Sequence, residues 1–380
     1  MSLIAADTVV LEHGVCRPGW VQISGAQILG CGPGPPPHPP DFDFPDAVVV
    51  PGFVDIHVHG GGGATYTKGD GSETLRAARF HRAHGTTTTL ASLVTASSAD
   101  LLAAVCALGE SAREGVIAGI HLEGPWLSAV HCGAHDPTQL RDPTPAEIDT
   151  LLTAGDGAIR MVTLAPERPG SHDAITRLVD AGVIVALGHT DASYQQTRHA
   201  IDLGATVGTH LFNAMRPLHH REPGPALALL QDARVTVELI ADGVHLHPAV
   251  VNATIEALGA DRIALVTDAT AAAGVSDGEF RLGTVPVDVV EGVARVRGTS
   301  TIAGSTATVD QLFDAVAGVG PDRDVALAAA VRMTATTPAR ALGIEGVGSV
   351  RAGAEANLVV LEQDNRVSAV MARGSWSTDR

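Results

Sequence analysis

Residues 48–94, VVVPGFVDIHVHGGGGATYTKGDGSETLRAARFHRAHGTTTTLASLV, place an apolar run, a helix-patterned stretch and a second apolar run in direct succession. They predict strand, helix, strand, and that order repeats downstream. TTTTLASLV (86–94) precedes SADLLAAVCALGESAREG (98–115). VIAGIHLEG (116–124) precedes a long loop and PAEIDTLLTAG (145–155), and IRMVTLAPE (159–167) precedes HDAITRLVDAG (172–182). VIVALGHT (183–190), ATVGTHLFN (205–213), RVTVELIADG (234–243) and RIALVTDAT (262–270) complete eight strand candidates. Repeated β-then-α order implies parallel strands joined by right-handed crossovers, and eight such units favour a closed (β/α)₈ barrel over an open sheet. The sixth unit is the weakest, because its helix region opens with the irregular stretch LFNAMRPLHHREPG (211–224).

Outside this rhythm both ends turn to strand character. TVVLEHGVC (8–16) and GWVQISGAQILGCG (19–32) are Val/Ile-rich and broken by glycine, and AGAEANLVVL (352–361) resembles them. PGPPPHPP (33–40) is too proline-rich for helix or sheet interior. A small β-sandwich domain built from residues 1–49 plus 346–380 is expected to flank a barrel over 50–345. Beyond the eighth strand, FRLGTVPVDVVEGVARVRG (280–298) predicts a hairpin, and 306–320 and 322–343 predict two helices.

Composition narrows the partners. Against 25 Lys+Arg stand 42 Asp+Glu, a net charge of −17, which repels nucleic acid and anionic lipid. Lys68 is the single lysine, so no P-loop motif exists and Schiff-base chemistry has one candidate. The four cysteines have no zinc-finger spacing and read as reduced thiols in a cytoplasmic protein. The N-terminus lacks a basic segment before its apolar stretch, and no uncharged run is long enough to span a bilayer.

Barrel active sites form at the C-terminal ends of strands. Here those ends carry His57-Val58-His59, His121-Leu122-Glu123, His189, His210 and Asp268. Period-two spacing puts both imidazoles of the first strand on one side, and imidazole with carboxylate suits Zn²⁺, Fe²⁺, Mn²⁺ or Co²⁺. A lone histidine at a strand end is an ordinary core residue; the set at successive strand ends reads as a divalent-metal site. His81 and His84, three apart on a helix, read as a solvated face.

PGFVDIHVHGG, HLEGPWL, LGHT, THLFNAM, ADGVHLHP and VTDAT together resemble the amidohydrolase superfamily, and within it the deacetylases of N-acetylglucosamine 6-phosphate. The resemblance covers nearly the whole chain and implies hydrolysis of the acetamide to glucosamine 6-phosphate and acetate. It implies that Glu123, His189 and His210 hold the principal metal, that His57 and His59 can hold a second, and that Asp268 is the catalytic acid/base. A modified lysine bridges two metals at the end of the fourth strand in many superfamily members. Here that strand ends in Thr163-Leu164-Ala165, which argues against that pattern. By the same resemblance Asn213, Ala214, Arg221 and His245 hold the sugar phosphate, with Arg221 reaching into the neighbouring site of a homodimer, and His135 lies near the acetyl carbonyl. The rivals are a deacetylase of N-acetylgalactosamine 6-phosphate, an N-acyl-amino-acid hydrolase, and a non-catalytic scaffold on the same fold.

Overall fold

A computed structural model describes residues 1–320 and 322–377; Pro321 and residues 378–380, the latter assigned by sequence to the small β-domain, lie outside the described residues. The N-terminal segment forms β1 (Ser2–Leu11), β2 (Gly14–Cys16), β3 (Gly19–Ser24), β4 (Gln27–Pro33) and β5 (Phe42–Pro51). The chain then enters the barrel through β6 (Phe53–Asp55), followed by a short ladder of β7 (Gly60–Gly61) with β8 (Ala64–Thr65). Seven further barrel strands alternate with helices. They are β9 (Thr86–Leu93), β10 (Gly119–Glu123), β11 (Ile159–Leu164), β12 (Ile184–Leu187), β13 (Val207–Gly208), β14 (Thr236–Leu239) and β15 (Ile263–Leu265). All neighbouring pairs from β6 and β9 through to β15 are parallel, in chain order. The protein is a (β/α)₈ barrel with a terminal β-domain, as the strand–helix rhythm predicts.

Between its first and last strands the barrel closes through bonds beyond the regular ladder. The Asp268 N–H donates to the His57 carbonyl (2.8 Å) and the His59 N–H to the Ala269 carbonyl (2.8 Å). Below them the buried Asp55 carboxylate accepts from the Thr267 hydroxyl. The interior is packed by Val54, Ile56, Leu90, Met161, Ala186 and Val266 among others, so it is a core and not a pore.

Three helices show how local sequence sets the outer ring. Asp70 and Ser97 accept backbone N–H bonds at the starts of α1 (Gly71–Ala83) and α2 (Ser98–Arg113), and Thr144 does so for α3 (Pro145–Gly155) with Pro145 at the first turn. Each cap costs about 1 kcal/mol to remove. After α4 (Ser171–Asp180) and α5 (Tyr194–Asp202), the helix of the sixth unit is the short α6 (Gly224–Gln231), which begins after the irregular stretch noted above.

Residues 280–298 depart from the expected hairpin. They belong to a three-stranded antiparallel sheet, β16 (Gly278–Leu282), β17 (Val285–Val290) and β18 (Val293–Val296). Glu291 and Gly292 both have positive φ (53° and 73°), the two-residue turn that returns the chain a second time. The last expected helix is also interrupted. Beyond α7 (Pro248–Leu258) and α8 (Val309–Ala317), α9 (Arg323–Val331) passes through a π-turn at Arg332–Thr336 before α10 (Thr337–Ala341), where Pro338 lacks the N–H a regular helix would use. β19 (Leu358–Leu361), β20 (Val367–Ala372) and β21 (Ser375–Trp376) then join β5, β1, β3 and β4 in one sheet from both ends of the chain. That sheet has its own apolar core, including Ile4, Val21, Ile28, Val49, Leu358 and Val360.

Candidate metal centre and active site

The strand ends deliver their polar residues to one point. Glu123 closes β10, His57 and His59 follow β6, His189 follows β12, His210 follows β13 and Asp268 follows β15. All six are buried. His189, His210 and Asp268 have positive φ (47°, 26° and 49°), a conformation that side-chain-bearing residues adopt at a cost of about 1–3 kcal/mol. Each turn swings a side chain over the mouth instead of continuing the strand, and tertiary bonds hold it there. The His57 carbonyl anchors Asp268, and the Glu238 carboxylate accepts from the His210 N–H at 3.1 Å.

Glu123 divides the site in two. Its Oε1 lies 3.0 Å from both His189 Nε2 and His210 Nε2, which are themselves 3.0 Å apart. Its Oε2 lies 3.1 Å from His59 Nε2 and 3.4 Å from His57 Nε2. Asp268 Oδ1 faces the same two nitrogens at 3.1 and 3.5 Å. One carboxylate therefore serves two nests of donors, and donor atoms of His57, His59, Glu123 and Asp268 lie within 4.8 Å of one another.

The hydrogen bonds behind the rings set their tautomers. Nδ1–H of His57 donates to Glu238 Oε2, that of His59 to the Ser92 carbonyl, and that of His189 to the His131 carbonyl. Each Nε2 then presents a lone pair toward carboxylate oxygens that also carry lone pairs. His57 Nε2 has no hydrogen-bond partner among the described residues. Acceptors facing acceptors in a buried site require positive charge between them, and this nitrogen–oxygen set fits a divalent cation.

The electrostatics agree. Burial alone would raise Glu123, but His57, His135 and His189 hold its carboxyl well below the usual range. Burial likewise opposes Asp268, and His57 and His59 pull it down. Burial would lower His59, yet bonds from Asp268 and Glu123 push it up to about 9. The carboxylates thus recruit positive charge as protons when no cation supplies it.

His135 plays the opposite hydrogen-bonding part. The Thr95 N–H donates to its Nδ1 at 3.2 Å, so its proton sits on Nε2, which points at Glu123 Oε2 from 3.4 Å. It is a donor at the rim of the site, and burial pushes its pKa down to about 4, which keeps it neutral. His121 shares β10 with Glu123 but belongs to a separate buried network, with Ser92 Oγ at 2.9 Å and Thr163 Oγ1 at 2.8 Å.

Above the donors opens a cavity of about 370 Å³. Asn213, Ala214 and His245 line it together with Glu123, His135 and Asp268. His245 is fixed by Asp242, whose Oδ2 accepts from its Nδ1–H at 2.8 Å; burial would lower this histidine, and Asp242 raises it. Arg221 is not part of this wall. It is exposed on the loop before α6, where its guanidinium donates to His220 Nε2 at 2.7 Å.

Three groups at or behind the site depart from the sequence expectations: two were not anticipated and one was read as solvated. Ser300, Thr301, Ile302 and Gly304, with Leu282 of β16, form one side of the cavity. Gly304 has φ +64°, and a Cβ there would meet the Asp268 carbonyl at 2.7 Å, so the segment can approach the strand-eight residue only as glycine. Glu238 is completely buried behind His57 and His210; its signal was a lone charge within VTVELIA. His81 is the third, and it corrects the expected solvated face. It is fully buried, its Nε2–H donating to the Gly60 carbonyl at 2.8 Å, because α1 turns this face onto the glycine turn after the first strand. His84 is partly exposed, its Nδ1 3.1 Å from Asp310 Oδ2.

Residues 48–376 match the amidohydrolase family. The chain belongs to that family. It is 38% identical over 337 residues to the N-acetylgalactosamine-6-phosphate deacetylase of Escherichia coli O157:H7, covering 87% of this chain and 88% of that one. It is 33% identical over 391 residues to the N-acetylglucosamine-6-phosphate deacetylase of Bacillus subtilis (strain 168), covering 98% and 96%. Among solved structures, a mutant of the Mycobacterium smegmatis N-acetyl-D-glucosamine-6-phosphate deacetylase in complex with N-acetyl-D-glucosamine 6-phosphate superposes with a TM-score of 0.97. It is 55% identical, over 99% of this chain and 98% of that one. The superposition extends over the barrel and the terminal β-domain alike.

Proposed function

We propose that this amidohydrolase cleaves the acetamide of N-acetylglucosamine 6-phosphate, giving acetate and glucosamine 6-phosphate. The observation that carries the reading is Glu123 with each oxygen turned to a different pair of imidazole nitrogens, beneath an open cavity with Asp268 on its wall. Glu123, His189 and His210 would hold one divalent cation, Zn²⁺, Fe²⁺, Mn²⁺ or Co²⁺; His57 and His59, with Glu123 and Asp268, would hold a second. A divalent cation, when bound, acidifies water and polarises a carbonyl.

The chain's own groups supply the rest. Asp268 takes a proton from the attacking water as its oxygen bonds to the acetyl carbon, then delivers that proton to the amine nitrogen as the C–N bond breaks. His135 donates its Nε2–H to the carbonyl oxygen as negative charge builds there. Asn213, the Ala214 backbone and His245 hold the sugar phosphate. No arginine or lysine lines the cavity among the described residues, so the phosphate dianion needs a cation from elsewhere. The partner subunit's Arg221 supplies it in a homodimer, since Arg221 does not line its own cavity. The four cysteines are unpaired, in keeping with a cytoplasmic enzyme.

The test is acetate release from N-acetylglucosamine 6-phosphate by chelated enzyme refilled with single metals, beside N-acetylgalactosamine 6-phosphate and N-acyl amino acids. Turnover restored by metal and highest on the first substrate supports the reading; turnover confined to another substrate refutes it.

A further inference from the structure

Three of the four imidazoles in the two nests around Glu123 are oriented from behind, and the three supports are unequal. His59 and His189 donate their Nδ1–H to backbone carbonyls, at 3.0 and 2.9 Å, whereas His57 donates to a carboxylate, Glu238 Oε2, at 3.0 Å. A charged acceptor strengthens that hydrogen bond and raises the basicity of the opposite ring nitrogen. The same Oε2 accepts the backbone N–H of His210, which belongs to the other nest, at 3.1 Å. Glu238 is wholly buried at the centre of β14, its Oε1 without a partner among the described residues. A buried carboxylate with one oxygen unpartnered is costly unless positive charge lies close, and among the described residues the titratable group its hydrogen bonds reach is the His57 ring.

We propose that Glu238 is the positioning residue that makes the His57/His59 nest a cation site in its own right, set at a fixed spacing from the His189/His210 nest through the His210 backbone. This rests on the metal assignment proposed above and adds a prediction that assignment lacks. The two ions should respond differently when Glu238 loses its charge but keeps its shape.

Glu238→Gln makes that separation, because the glutamine carbonyl can still accept from both His57 Nδ1–H and His210 N–H. The wild type should take up two ions per chain. In E238Q, chelator competition followed by atomic absorption should show one ion released 10- to 100-fold more readily while the other keeps its wild-type affinity. A merely structural role would weaken both together, and that result overturns the proposal, as does wild-type affinity for both ions or a wild type that saturates at one. A second measurement needs no variant. With ¹⁵N-labelled histidine, the His57 Nδ1 proton should resonate further downfield than those of His59 and His189; equal positions overturn it. Wild-type acetate release is scored separately, so an enzyme that deacetylates but fails these tests sinks the role of Glu238 and leaves the activity standing.

Discussion

Asp268 sits where two demands meet. Its Oδ1 faces His57 and His59, yet its side chain also reaches the cavity, so it can hold a proton without leaving the donor cluster. Asp268→Asn should therefore keep most bound metal, since Glu123 and the four imidazoles stay in place, while turnover falls by roughly 10²–10⁴-fold. Metal analysis and acetate release on one preparation check both halves. Residues of this kind are readable in sequence as a set, because histidines and carboxylates recur at the ends of successive apolar runs, where any one of them alone would pass for a core residue. Glu238 and His81 escape that reading. Each sits inside an element, and whether its side chain meets solvent or the back of the site depends on which neighbouring strand or loop packs over it.

At the level of elements, the loops of the mouth are fastened to one another. His131 after β10, Asp191 after β12 and Arg216 after β13 form one clasp. Asp191 Oδ1 lies 3.1 Å from His131 Nε2 and accepts from Arg216 Nε at 3.0 Å, while Oδ2 accepts from Arg216 Nη2 at 2.9 Å. The Arg216 bonds, aided by His131, draw the Asp191 carboxyl down to about 2. An acid with a lowered folded-state pKa stabilises in full above its unfolded value of about 3.9, and that contribution disappears as pH falls toward 2. Asp191→Asn should thus cost stability at neutral pH, and its deficit against wild type should close between about pH 4 and pH 2. Denaturant melts across that range test it; a deficit independent of pH would show that the charge contributes nothing. The clasp also governs His189, whose ring is oriented by the His131 carbonyl. The strand–helix order was legible element by element because its periods are local. The cavity wall from Ser300 to Gly304 was not, since it depends on a second turn at Glu291-Gly292 and on how that sheet folds back over the mouth.

For the whole molecule, charge is the governing quantity. A net −17 surrounds a pocket proposed to receive a dianion, so recognition falls to a few placed groups. Arg221→Ala should lower kcat/KM for the phosphorylated substrate and leave N-acetylglucosamine nearly unaffected; equal losses on both would remove Arg221 from phosphate binding. Metal removal acts on the entire fold. Stripping cations leaves Glu123, Asp268 and Glu238 buried together, and a ligand held only by the folded state stabilises it by about 2.7 kcal/mol at a hundredfold excess over its Kd. Chelation should lower the melting temperature by several degrees, and refilling should restore it.

The seam of the barrel has a consequence for biogenesis. The paired histidines of the first strand leave the ribosome early, but the Asp268 amide that caps His57 and the threonine that engages Asp55 emerge some two hundred residues later. A nascent or truncated polypeptide therefore carries sticky imidazoles with no rigid cage around them. Tight cation capture therefore waits for the eighth strand, and a product terminated before Asp268 would be expected to stay empty.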